Sequence, residues 1–137
     1  MTTAEQILVL GGIINLVYAF VTGFMLAVIR QKQAVAPKYL LFAHTGPLMQ
    51  GAMLLGLVFA VQLANLSSWI EISAALLLSG GALLLAIKDT VNWWQTIGDE
   101  FGEKPVLGLA LGTLAVLASS AGLLMLAFGV IAGVAWP

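Results

Sequence analysis

Cysteine is absent from this chain, histidine occurs once, and charged residues make up only 8% of it. The lack of cysteine removes disulfides, iron–sulfur clusters and thiolate metal ligation. One histidine alone cannot furnish the four protein ligands of a structural zinc site. Five basic residues against six acidic ones leave a net charge of −1, which gives no basis for a nucleic-acid partner. So few charges also exclude a soluble globule. The 137 residues are 61% hydrophobic with a mean hydropathy of +1.08, so the surrounding solvent must be lipid. The segment Met1–Gln6 has no basic stretch, and the apolar run after it far exceeds the roughly 7–15 residues of a signal-peptide core. The expectation is a first membrane span rather than a cleaved leader.

Four apolar runs fill the sequence, at about residues 7–29, 39–63, 72–97 and 106–135. They are continuously apolar rather than alternating, which predicts helices and not a β-barrel. The expected fold class is therefore all-α: an integral membrane four-helix bundle, with residues 1–137 as a single transmembrane domain. Trp93 and Trp94 stand in an aromatic-belt position, and Trp69 marks another interface. The stretch from Gly98 to Pro105 reads as a turn. Arg30, Lys32 and Lys38 lie in the first loop and Lys104 in the third, while the termini and second loop hold no Lys or Arg. The positive-inside rule then places the first and third loops in the cytoplasm and both termini outside. Small residues recur at four-residue spacing in Ala19-Gly23-Ala27, Gly108-Gly112 and Gly129-Gly133. Such rows let helices approach closely, within one bundle or between subunits.

Polar residues inside hydrocarbon are costly and therefore informative. Asn15, Tyr18 and Thr22 fall in the first span, His44, Thr45 and Gln50 in the second, and Lys88, Asp89, Asn92 and Gln95 in the third. His44 and Asn92 each lie seven residues from their span's centre toward the same membrane face, about 10 Å from the midplane. The polar groups of two antiparallel helices should thus converge in one leaflet. Lys88 and Asn92 share a helix face, with Asp89 rotated about 100° from it. A cavity lined by these groups and a self-neutralising Lys–Asp pair are both consistent with this pattern.

His44 belongs to Ala43-His44-Thr45-Gly46-Pro47-Leu48-Met49-Gln50-Gly51. Pro47 removes a backbone hydrogen bond and frees the carbonyl of Ala43. Gly46 and Gly51 strip bulk from the helix near the imidazole, leaving an expected empty wall for something large and flat. Haem needs only one axial ligand and fits an apolar cavity between helices. Lys88, Arg30 or Lys38 could meet its propionates. The plainer reading satisfies the imidazole with a neighbouring carbonyl or with Asp89.

The run Ala43-His44-Thr45-Gly46-Pro47 followed by Gly51 resembles the styrene oxide isomerase family of small bacterial membrane proteins. That family carries Ala-His-Ser-Gly-Pro-x-x-Asn-Gly in the second of four transmembrane helices. The resemblance implies a homotrimer with ferric haem b at subunit interfaces, ligated by His44, in the bacterial cytoplasmic (inner) membrane. It also implies the reaction: a Lewis-acid opening of an epoxide and a 1,2-shift to an aldehyde or ketone, without net redox change. The family's asparagine is replaced here by Gln50. Its third-helix tyrosine falls at or next to Asp89, and the third span holds no tyrosine. Its members also tend toward longer chains with basic termini, at odds with the orientation given above.

The resulting expectation is a haem-dependent epoxide isomerase acting on a small apolar epoxide. His44 is the metal ligand, and Gly51, Lys88 and Trp93 border the cofactor. Gln50, Asp89 and Asn92 are the candidate catalytic residues: Gln50 would donate to the oxygen, and Asp89 would stabilise the cation. Two other classes remain: a small ion-coupled transporter using Asp89, and a b-type haem electron carrier, which needs a second axial ligand.

Overall fold

A computed structural model describes residues 1–135 and consists of four long helices and one short one. These are α1 (Thr3–Arg30), α2 (Lys38–Leu63), α3 (Ser68–Trp94), α4 (Glu100–Glu103) and α5 (Val106–Ala135). The four long helices are each long and apolar enough to cross a membrane, and the chain is an integral membrane protein of all-α, four-helix-bundle class. At 26 to 30 residues they extend about 39–45 Å, more than a hydrocarbon core of about 30 Å, so they tilt or protrude.

Each boundary has a local cause. Thr2 caps α1 with a capping box: its side chain accepts from the Glu5 N–H while Glu5 accepts from the Thr2 N–H at 2.8 Å, satisfying two end donors. Arg30 in the last turn complements the negative end of the helix dipole. Pro37 precedes α2 with φ −59°, a value proline already holds. Helix α3 begins at Ser68, earlier than the expected 72, because Ser67 serves as N-cap and its carbonyl accepts from Ile70 and Glu71. It ends at Trp94 rather than near Ile97. Thr96 takes the left-handed conformation (φ 56°), the Ile97 N–H donates to Asn92 O, and the Thr96 N–H donates to Trp93 O. This is a Schellman closure with threonine where glycine is usual. The third loop is more than a turn: Glu103 accepts from the Gly98 and Asp99 N–H groups, and Asp99 caps the single-turn helix α4.

The most extensive packing joins α3 to α5 and α1 to α2; contacts of α3 with α1 and α2 unite the two pairs. Helix backbones touch where side chains vanish. A Cβ on Gly51 would lie 2.9 Å from Gly12 O and 2.8 Å from Leu16 Cγ. The space beside Gly51 is therefore filled by α1, and the expected empty wall at that position is corrected: Gly51 is a packing residue. The glycine rows on α5 behave likewise. Gly108 faces Asn92, Gly112 faces Lys88, and Gly129 and Gly133 meet residues 63–66. Of the two readings of the small-residue rows, packing within the bundle accounts for these contacts.

The bundle is divided along its length. Ala4, Leu8, Leu54, Val61, Ala75, Leu78, Ala82 and Leu126 form a wholly apolar core in the half nearest the N-terminus and second loop. Tyr18, Thr22, His44, Lys88, Asp89 and Asn92 lie in the other half, toward the first and third loops. The outward surface is apolar: Phe20, Phe24, Leu124 and Phe128 are each more than two-thirds exposed, as lipid contact requires.

Two glycines on α2 should respond oppositely to substitution. Gly51→Ala forces α1 and α2 apart and should cost about 1–3 kcal/mol. Gly56→Ala meets nothing within 4 Å and should be neutral or stabilising by up to about 1 kcal/mol. Thermal unfolding of the two variants in mild detergent checks the contrast.

Candidate functional site

Pro47 sets the local geometry around His44. Helix α2 continues through the proline, so the Ala43 carbonyl lacks its ordinary donor. The Thr22 hydroxyl of α1 lies 2.9 Å from that oxygen, within reach also of its own Tyr18 and Ala19 carbonyls. Across the same seam His44 Nδ1 is 2.8 Å from Ala19 O. A carbonyl can only accept, so Nδ1 carries the proton and Nε2 keeps its lone pair. Nε2 has no hydrogen bond among the described residues. The ring sits against Gly23, where a Cβ would come within 2.7 Å of Nδ1 and Cε1. Only glycine admits the imidazole there.

His44 is partly exposed. Leu41 and Leu48, one turn away on either side, share its face and are 39% and 42% exposed. The imidazole therefore stands on an apolar shelf at the α1–α2 surface. The carbonyl-satisfied reading of His44 describes one ring nitrogen and leaves the other open to a ligand.

The polar residues of α3 lie at the expected depth but on other faces. Two residues along α2 from His44, Gly46 looks at Asp89: a Cβ there would be 4.0 Å from Oδ2. The imidazole itself turns toward α1. Convergence in depth is therefore met, while convergence of side chains into one pocket is not. Lys88 Nζ donates to Glu100 Oε2 at 2.9 Å and lies 3.0 Å from Asp89 Oδ1. The second contact is off-line for a hydrogen bond, and Asp89 Oδ1 has no hydrogen-bond partner among the described residues; the pair is held by charge. With both carboxylates beside it, Lys88 is not free to meet a propionate. Arg30 and Lys38, both exposed, remain for that role.

Asn92 is fully buried against Gly108 of α5, and neither amide atom has a partner among the described residues. It lies on the α5 side of α3, whereas His44 packs on α1. Gln50 is on the α3-facing side of α2, one turn beyond Gly46, with Oε1 buried and unpartnered. Trp93 borders a separate interfacial cavity of about 400 Å³ together with Lys38, Tyr39 and Ile97.

Two residues essential to this arrangement escape sequence reading. Glu100 sits in the third loop, twelve positions from Lys88, where no helical period links them. Its N–H donates to the Tyr39 hydroxyl at 2.9 Å, which fastens α4 over the bundle end. The only sequence signal is a cluster of charges immediately after a span. Gly23 was legible as a small residue, but not as the seat of His44.

Thr22→Val should lower stability by about 0.5–1.5 kcal/mol, because the Ala43 carbonyl loses its donor. Pro47→Ala in the same background should recover most of this loss, since the helix can then satisfy that carbonyl itself. A double-mutant cycle read by thermal unfolding measures the coupling. No family model, curated protein or solved structure matches the chain, so the geometry of His44 and its neighbours carries the functional reading.

Proposed function

We propose that the chain is a membrane-embedded, haem-b-dependent isomerase that converts a small apolar epoxide to an aldehyde or ketone. The observation that carries this reading is His44: Nδ1 tethered to the Ala19 carbonyl, the ring seated on Gly23, and Nε2 uncommitted on an apolar surface. A hydrogen bond at one ring nitrogen orients and strengthens the other as a ligand. The donor set suits a macrocycle rather than a bare ion. No group of three His, Cys, Asp or Glu side chains among the described residues could hold a metal, and haem requires only one ligand from this chain.

The residues divide the work as follows. His44 would hold the cofactor, and Leu41 and Leu48 on the same helix face would make its surroundings apolar. Arg30 and Lys38 supply cationic ends near the first loop for carboxylates. Ferric haem, when bound, supplies a Lewis acid for epoxide opening. Gln50, the expected donor to the epoxide oxygen, lies about 120° around α2 from His44 with its Oε1 buried, so it stands behind the shelf rather than on it, and the developing negative charge would be met by the cofactor's iron. The lipid-facing shelf excludes water from a cationic intermediate. Because His44 lies at the surface of the α1–α2 pair, a second copy of the chain would close the pocket, in keeping with a homotrimer. An electron carrier would need a second axial ligand, which would have to be a methionine such as Met25, Met49 or Met53 or the histidine of a second copy.

An absorption spectrum of the purified protein tests the reading. A Soret band is expected, lost in His44→Ala and weakened in Gly23→Ala, which displaces the ring. Turnover should need ferric haem but no NADH, quinone or oxygen. Haem content unchanged by His44→Ala would refute the ligand role. A panel of epoxides yielding no carbonyl product with ferric haem bound would refute the isomerase.

A further inference from the structure

A second site lies on the opposite pair of helices, independent of His44. Between α3, α4 and α5 is a cavity of about 370 Å³, within the size range of small-molecule sites. Its walls are apolar: Leu85 on α3, Phe101 on α4, and Leu109, Val116 and Leu117 on α5, with Gly112 leaving room between them. Only Lys88, Glu100 and Thr113 break this lining. The polar end is therefore small and charged, and the rest would accept a hydrocarbon body.

The charge at that end decides the ligand. Lys88 lies within 3.0 Å of Asp89 and 2.9 Å of Glu100, so one cation sits between two carboxylates and the cluster is net −1. Glu100 is 92% buried (8% exposed), yet only its Oε2 is engaged, by Lys88. Its Oε1 is directed toward Gly112, 3.8 Å from where a Cβ would stand. An unengaged carboxylate oxygen at a low-dielectric wall favours a cationic donor. An anion would meet the net negative charge. A metal ion would need more ligands than the site offers, since no group of three His, Cys, Asp or Glu side chains among the described residues could hold one.

We infer that this cavity binds a small amphipathic amine, its ammonium on Glu100 Oε1 and its apolar body against Leu109, Val116 and Leu117. Phe101 borders the same cavity from α4. The site is too deep for a phospholipid headgroup. Lys88 precedes Trp94 by six residues, about 9 Å along the helix, and Trp94, 84% exposed, marks the interfacial level where headgroups lie. The ligand is therefore a free amine that partitions into the leaflet.

Titration of the full chain in neutral detergent with octylammonium, octanol and octanoate tests the site. Octylammonium should bind, and octanol and octanoate should bind at least about tenfold more weakly. Glu100→Gln should weaken octylammonium about tenfold or more. Leu117→Trp fills the cavity from its exposed side without touching the ion cluster. It should weaken binding similarly while leaving any haem spectrum unchanged, and it serves if Glu100→Gln does not fold. Equal affinity for the three probes, or unaltered octylammonium binding in a folded Glu100→Gln or Leu117→Trp variant, would overturn the inference.

Discussion

Hydrocarbon offers no hydrogen bonds, so a polar group in the membrane-spanning part of this protein finds its partner in the chain or goes without one. The response to Pro47 shows how far that requirement reaches. One missing N–H leaves the Ala43 carbonyl open, and Thr22 of α1 comes within 2.9 Å to close it. The same seam brings Ala19 O to His44. A proline chosen on one helix thus fixes a threonine, a small residue and a glycine on another. The orientation of the sole histidine follows from that seam.

The two halves of the bundle meet the constraint differently. Near the N-terminus and second loop the interior is mainly aliphatic, with few polar links such as Ser79 to the Ile7 carbonyl. Toward the first and third loops lie three charges and the incompletely partnered amides of Gln50 and Asn92, with His44 at the surface beside them. Packing in the apolar half adds stability, whereas the buried ions contribute little net stability and much specificity of arrangement. The apolar half carries most of the packing, and the polar residues are gathered in the other.

The helices were legible because their signal is simple: long apolar runs broken by charged loops. Their ends were less so. Ser67 as N-cap and Thr96 in a left-handed closure shift α3 by about one turn at each end, and a β-branched residue gives no sequence warning of that conformation. Depth along each helix was also legible, since rise per residue is fixed. Shared faces within one helix were legible too: His44 and Gly51 both meet α1, and Lys88 and Asn92 both meet α5. What fills each face was not, since Leu16 and the Gly12 backbone occupy the space at Gly51 and no periodicity in α2 reveals which neighbour lies there. Glu100 lay beyond such reasoning because its partner is set by how the third loop folds back.

The adjacency of Lys88 and Asp89 bears on how the chain is made. Neighbours in sequence, they can neutralise one another inside a single helix before any other helix is present. The third span can therefore leave the insertion machinery as a hairpin with the second, carrying no net charge at that depth. Glu100 joins only when α4 folds over the bundle end and its backbone reaches Tyr39. The complete ion cluster therefore depends on α4 being in place, with Lys88 and Asp89 neutralising one another within α3 and Glu100 adding the one net charge.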